Sequence, residues 1–135
     1  MNEKPFLSNP LLRYKNNYFE VFETKADFGS HQKEYFSINF GKRVGVLVCQ
    51  NGSLLLVRQY RLFLNEKSWE IPGGQIHRGE TSVEAAKREC YEESGFIPQN
   101  PRILLSYNIG HEGVNNPTDI FYSEKCDFDK NWEQA

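Results

Sequence analysis

Cysteine is scarce in this chain: Cys49, Cys90 and Cys126 are the only three, and no CxxC spacing pairs them. An odd count without ligand spacing argues against a disulfide framework or a zinc site and points to reduced thiols in a cytoplasmic protein. No apolar run approaches the roughly 20 residues of a membrane span. The start, MNEKPFLSNP, is too polar and proline-broken for a signal peptide. Positive charge is not in excess either. Sixteen Lys and Arg against 18 Asp and Glu give a net charge of −2, which disfavours a general nucleic-acid binder. Repeats and low-complexity stretches are missing too. What remains is the composition of one globular domain: 135 residues, 39% hydrophobic and 14% aromatic.

Along the chain, YFEVFETKADF (18–28) and KEYFSINFG (33–41) are aromatic and β-branched and flank GSHQ, which predicts an antiparallel pair. Two nearly continuous apolar runs in 44–61 surround Asn51-Gly52, a dipeptide that favours a type I′ hairpin. Their continuity predicts strands covered on both faces. LFLNEKSW is expected to be loop, and WEIPGGQIHRGE to open on a short strand before Pro72. Pro72-Gly73-Gly74 is expected to be a turn that ends regular pairing. Thr81 followed by Glu84 forms a capping box, and Gly95 supplies a left-handed stop, so a helix is predicted to about Ser94. Its apolar stripe is Val83, Ala86 and Cys90. Strands are expected at 102–110 and 118–126. Mostly strands around one helix predicts an α+β fold, an α/β/α sandwich with a mixed sheet.

The helix carries Glu89, Glu92 and Glu93 within a third of its circumference, beside the apolar stripe. Such carboxylates repel, and a lysine at i±4 is lacking. Arg88 and Arg78 are too few to neutralise three acids and meet other demands. A solvated acidic face is the plain alternative. A hard divalent cation with oxygen ligands is the sharper one.

The surroundings favour the cation. Gly74, Glu80 five residues on, Arg88-Glu89 after seven more, then Cys90, Glu92-Glu93 and Gly95-Phe96 together resemble the Nudix box. Cys90 departs softly from the usual aliphatic. VRQYR (57–61) and WEIPGG (69–74) are similar to the ADP-ribose and nucleotide-sugar pyrophosphatase branch. The resemblance implies a Nudix-like fold with one central catalytic helix. It divides the chain into an N-terminal antiparallel β segment, 1–41, and a hydrolase domain, 42–135, whose polar end, DFDKNWEQA, stops before the fold usually closes. It implies Mg²⁺ (or Mn²⁺) held by Glu89, Glu92, Glu93 and the backbone carbonyl of Gly73. The catalytic set would be Glu92, Glu93 and Arg88, with Arg88 paired to Glu80. Arg61 and Glu70 would bind substrate.

The branch's glutamate before the penultimate strand is missing from NIGHEGVNNPTDIF. Its place holds Asn116, Pro117 or Thr118, so Glu112 is the favoured substitute, with Asp119 the nearest acid downstream. The branch's proline is replaced at Glu112 as well, which leaves other nucleotide-sugars open. His77, His111, Lys67 and Arg58 are weaker phosphate candidates, more often solvated. The N-terminal segment is implied to mediate a homodimer and to supply an aromatic for the base, from among Tyr18, Phe19, Phe22, Phe28, Tyr35 and Phe36.

The implied activity is hydrolysis of the diphosphate in ADP-ribose or a related nucleoside diphosphate sugar, giving a nucleoside monophosphate and a sugar phosphate. The partner would be that small molecule, with no nucleic acid and no membrane. Two alternatives stand beside it. One is a Nudix hydrolase of nucleoside triphosphates or dinucleoside polyphosphates. The other is a non-catalytic nucleotide-sugar-binding module.

Overall fold

The computed structural model describes residues 4–133, so the outermost residues of the polar start and end lie outside the described residues. The strands run β1 (Phe6–Leu7), β2 (Leu11–Lys15), β3 (Glu20–Asp27), β4 (Gln32–Asn39), β5 (Arg43–Gln50), β6 (Ser53–Leu54), β7 (Val57–Arg61), β8 (Glu66–Glu70) and β9 (Gly73–Gln75). Helix α1 (Ser82–Ser94) follows, then β10 (Phe96–Pro98), β11 (Arg102–Asn108), β12 (Val114–Asn115), β13 (Pro117–Ser123) and β14 (Cys126–Phe128). Among the described residues α1 is the one helix. None is long and apolar enough to cross a membrane. The chain divides into two compact units. One holds the residues up to Gly41 with Asn108–Pro117, and the other holds Lys42–Tyr107 with the residues from Thr118 onward.

In the first unit β3 and β4 pair antiparallel from Glu20↔Asn39 to Asp27↔Gln32. The hairpin closes where the Phe28 amide donates to the His31 carbonyl at 3.0 Å and Gly29 takes φ 80°. The other edge of β3 is shared by β1 and β2, short strands that the polar start did not signal. On the far edge of β4, β12 adds in parallel. Glu23 is buried here and accepts from Arg13 Nε at 2.5 Å, an ion pair that offsets the cost of taking the carboxylate out of water.

The second unit is built on β5, with β13 parallel on one side and β9 antiparallel on the other; β11 lies beyond β13. Val44, Val46 and Val48 alternate onto one face of β5. They meet Ala85, Ala86 and Cys90 of α1 and Phe121 of β13. Each buried valine contributes about 1.5–3 kcal/mol by leaving water. The opposite face is covered at Gly45, where a Cβ would meet Ile120 and Ile71 side chains at 2.8 and 3.0 Å.

Asn51 and Gly52 have φ 52° and 74°, as a type I′ turn requires. The second apolar run, however, is not one covered strand. It breaks after Leu54 and restarts as β7, which pairs with β8 and leaves Leu54, Leu56 and Tyr60 exposed. Residues 66–68, expected to be loop, therefore belong to a strand. Asn65, at φ 53°, makes the turn before it.

Gly73 and Gly74 are strand too, in register with Gly45 and Val44. Glycine at both positions answers to close approach rather than to a turn. A Cβ on Gly73 would strike the Val44 carbonyl, and one on Gly74 would strike the Glu89 carboxylate.

Helix α1 starts as expected. The Glu84 amide donates to Thr81 Oγ1 at 3.3 Å, and Glu84 Oε2 accepts from the Thr81 amide at 2.8 Å. Gly95 ends it at φ 73°, its amide donating to the Tyr91 carbonyl. The buried stripe is Ala85, Ala86 and Cys90, not Val83, which stays exposed in the first turn.

Candidate active site on helix α1

Capping and packing fix how α1 is rotated. With Ala86 and Cys90 inward, Glu89 and Glu93 border the core, and Glu92 lies further out at 55% side-chain exposure against 13% for Glu89. Arg88 spreads its fork across the group. Its Nε donates to Glu80 Oε1 at 2.7 Å and Nη2 to Glu80 Oε2 at 3.0 Å. Nη1 donates to Glu89 Oε1 at 2.8 Å and Glu92 Oε2 at 3.1 Å, and Nη2 also reaches the Gln75 carbonyl at 2.8 Å. One planar guanidinium thus ties helix, loop and β9 together, which no lysine could do. Arg88 meets two of the three acids, Glu89 and Glu92, and Glu80 besides.

Glu93 is held by other donors. Its Oε2 accepts from the Gly73 amide at 2.9 Å, and its Oε1 accepts from Gln59 Nε2 of β7. Gln59 was not foreseen. Nothing in VRQYR marks it except that Val57, Gln59 and Arg61 share one face of the hairpin by strand alternation. On that same face Arg61 grips Glu70 with Nε to Oε1 at 2.8 Å and Nη2 to Oε2. This bond holds Glu70 below the usual carboxylate range and Arg61 above its own.

Other candidates stand on other elements. Glu112 and His111 are exposed in the first unit, in the turn closed by the Gly113 amide on the Gly110 carbonyl. His77 and Arg58 are exposed, and Arg58 sits 5.4 Å from the Trp69 ring centre. Cys90 is buried, its thiol pushed up to about 11 by burial, and serves as core.

Two consequences are measurable. Hydrogen bonds from Arg88, then from the His77 amide, hold Glu80 at about 2 instead of 4.5. A depressed carboxylate stabilises the fold above its ordinary pKa and loses that contribution as pH falls through the folded value. Urea titrations from pH 5 down to 2 will therefore show stability falling, and Glu80→Gln will flatten that fall. The second concerns the glycine pair. Gly73→Ala meets backbone that cannot give and is expected to cost about 2 kcal/mol. Gly74→Ala meets the movable end of Glu89, so it will cost less stability but will shift Glu89 off Arg88, which structures of both variants will show.

Whether a divalent ion suits this place can be judged from the donors. They are all oxygens: three carboxylates on one face, with main-chain carbonyls of a strand that glycine brings close. Among the described residues no three acidic, His or Cys side chains converge on one point as placed, since Arg88, Gln59 and the Gly73 amide each draw an acid to themselves. N–H donors hold the positions a cation would share, so the residues fit such an ion in kind.

Fold and site together define a strand-rich domain that presents an acidic helix against a glycine strand. The chain belongs to the NUDIX domain family, whose model matches residues 39–132. Nudix hydrolases generally use divalent metals. The chain is 35% identical over 71 residues to an RNA pyrophosphohydrolase of Shewanella piezotolerans, covering 52% of this chain and 39% of that protein. It is 30% identical over 107 residues to a CMP-5'-(N-acetyl-N-hydroxy-3-aminopropyl)phosphonate hydrolase of Streptomyces rubellomurinus, covering 79% and 52%. The chain thus spans about half or less of these curated relatives. A crystal structure of an ADP compounds hydrolase shares the fold, with a TM-score of 0.79 at 20% identity, covering 99% of this chain and 76% of that one.

Proposed function

We propose that the protein hydrolyses the diphosphate linkage of ADP-ribose or a related nucleoside diphosphate sugar, with Mg²⁺ (or Mn²⁺), to a nucleoside monophosphate and a sugar phosphate. The observation that carries this is the α1 cluster, in a chain of this family: Glu89 and Glu92 tied by the Arg88 fork, and Glu93 on the same face held by Gln59 and the Gly73 amide. Glu89, Glu92 and Glu93 with the Gly73 carbonyl hold the metal. When bound, a divalent ion shields the anionic diphosphate and acidifies the attacking water. Arg88 fixes the helix to Glu80 and β9 and so orients the acids.

Arg61 contacts the diphosphate, held for that task by Glu70. Glu112 is the further acid of the reaction, carried on a turn that two glycines flank. A homodimer belongs to the same reading. The first unit exposes Phe6, Leu7, Leu11, Leu12 and Tyr18, apolar side chains that a second copy would cover.

A second reading has one observation in its favour, the RNA pyrophosphohydrolase named among the relatives: removal of pyrophosphate from a 5′-triphosphate RNA end. The net charge of −2 weighs against it. A panel of ADP-ribose, UDP-glucose, GDP-mannose, dGTP and 5′-triphosphate RNA with Mg²⁺ tests both. Preferred cleavage of a diphosphate sugar is expected. Preferred release of pyrophosphate from the RNA would overturn the first reading in favour of the second.

A further inference from the structure

A cleft of about 410 Å³ opens beside the last turn of α1. That volume falls in the range of small-molecule sites, roughly 300–1,000 Å³. Glu92 and Glu93 line it, and so do Leu55, Leu56, Phe96 and Trp132. The lining therefore changes character along the helix direction. The acids belong to the final turn, whereas Phe96 lies beyond the helix end and Trp132 packs against Gly95 there.

The ring of Trp132 is pinned in place. A Cβ on Gly95 would meet Trp132 Cδ2 at 2.7 Å and Phe128 Cε2 at 2.9 Å, so the ring rests directly on the helix stop. Phe96 and Phe128 pack as a tilted pair with ring centres 4.9 Å apart, and the Asp129 amide donates to the Gly95 carbonyl at 3.0 Å. The Trp132 amide in turn donates to the Asp129 carbonyl at 3.1 Å. The segment carrying the indole is thus fastened by backbone bonds, yet Trp132 keeps part of its surface accessible in the cleft. An aromatic side chain held this way loses little freedom when a flat ligand covers it.

We propose that this cleft takes the nucleobase of the substrate, with Trp132 as its stacking platform and the diphosphate directed toward Glu92 and Glu93. The proposal rests on the nucleotide reading above and adds where the base goes. A ligand that suits the lining must be apolar and flat at one end and able to share a cation with carboxylates at the other. A nucleoside diphosphate has both ends. It also places the aromatic platform in the same unit as the acids, rather than in the N-terminal segment.

The test uses the Trp69→Phe protein, in which Trp132 is the sole tryptophan, since the chain has two. AMP, GMP and UMP are titrated against its fluorescence, with ribose 5-phosphate as the probe that lacks a base. Quenching by at least one nucleotide and none by ribose 5-phosphate is expected. By calorimetry, Trp132→Ala weakens that nucleotide about ten- to a hundredfold, the range typical of losing a base–aromatic stack, while Trp132→Phe restores most of it. Equal nucleotide affinity in Trp132→Ala, or equal quenching by ribose 5-phosphate, overturns the base site and leaves the hydrolase reading standing. No nucleotide binding by the unsubstituted protein overturns the nucleotide reading and this site with it.

Discussion

Glu93→Gln is expected to cripple metal-dependent turnover and to leave the protein folded. The amide has nearly the shape of the carboxylate and keeps an oxygen for the Gly73 amide, so the link between α1 and β9 survives. What disappears is the negative charge, and a neutral amide is a poor ligand for a hard divalent ion. Changing a residue that only supports a metal ligand commonly costs ten- to a hundredfold. Loss of a ligand is therefore expected to cost at least about a hundredfold in kcat, with the thermal midpoint nearly unchanged. Steady-state rates at saturating Mg²⁺ on the best substrate of the panel provide the check. Unaltered turnover would show that Glu93 holds no metal.

Arg88→Ala is expected to cost about 3 kcal/mol of folding stability, the largest loss of any single change considered. The guanidinium makes five hydrogen bonds, to Glu80, Glu89, Glu92 and the Gln75 carbonyl. Glu80 and Glu89 have side chains only 15% and 13% exposed, so alanine strands two carboxylates with little water to replace the lost donors. Lysine keeps the charge but has no planar fork, and Arg88→Lys should recover less than half of the loss. Urea titrations at pH 7 measure both. A loss under about 0.5 kcal/mol for alanine would mean the fork is a surface ornament of the kind that exposed ion pairs often are.

These expectations depend on features of unequal visibility in the sequence. The helix was legible to the residue because its signals are local: Thr81, Glu84 and Gly95 act within one turn of themselves. Its acids followed once its rotation was known. The glycine strand was not legible. Pro72-Gly73-Gly74 carries the marks of a turn, and only the Val44 carbonyl and the Glu89 side chain, distant in the chain, explain why glycine stands in β9. The start of β8, residues 66–68, reads as loop for a different reason. The β7–β8 hairpin is largely solvent-exposed, so it has no apolar alternation to betray it. Gln59 was invisible for the same cause. Its partner Glu93 lies 34 residues away, and one polar residue in an exposed strand resembles any other.

The first unit shows the opposite case. Its main hairpin followed from aromatic and β-branched content, whereas β1 and β2 are short pieces whose pairing depends on the β3 edge they share. The role of Glu112 rests on resemblance and on the flanking glycines of its turn. Its substitution by glutamine belongs in the same kinetic series as Glu93→Gln.

The central claim is that the glutamate face of α1 holds a divalent cation. The most direct measurement is a Mn²⁺ titration followed by electron paramagnetic resonance, which counts bound ions without any substrate. The account predicts saturable binding to the unsubstituted protein, competed by Mg²⁺ and weakened at least tenfold by Glu93→Gln and by Glu89→Gln. Binding of equal strength in the two variants, or none at all to the folded protein, would contradict it.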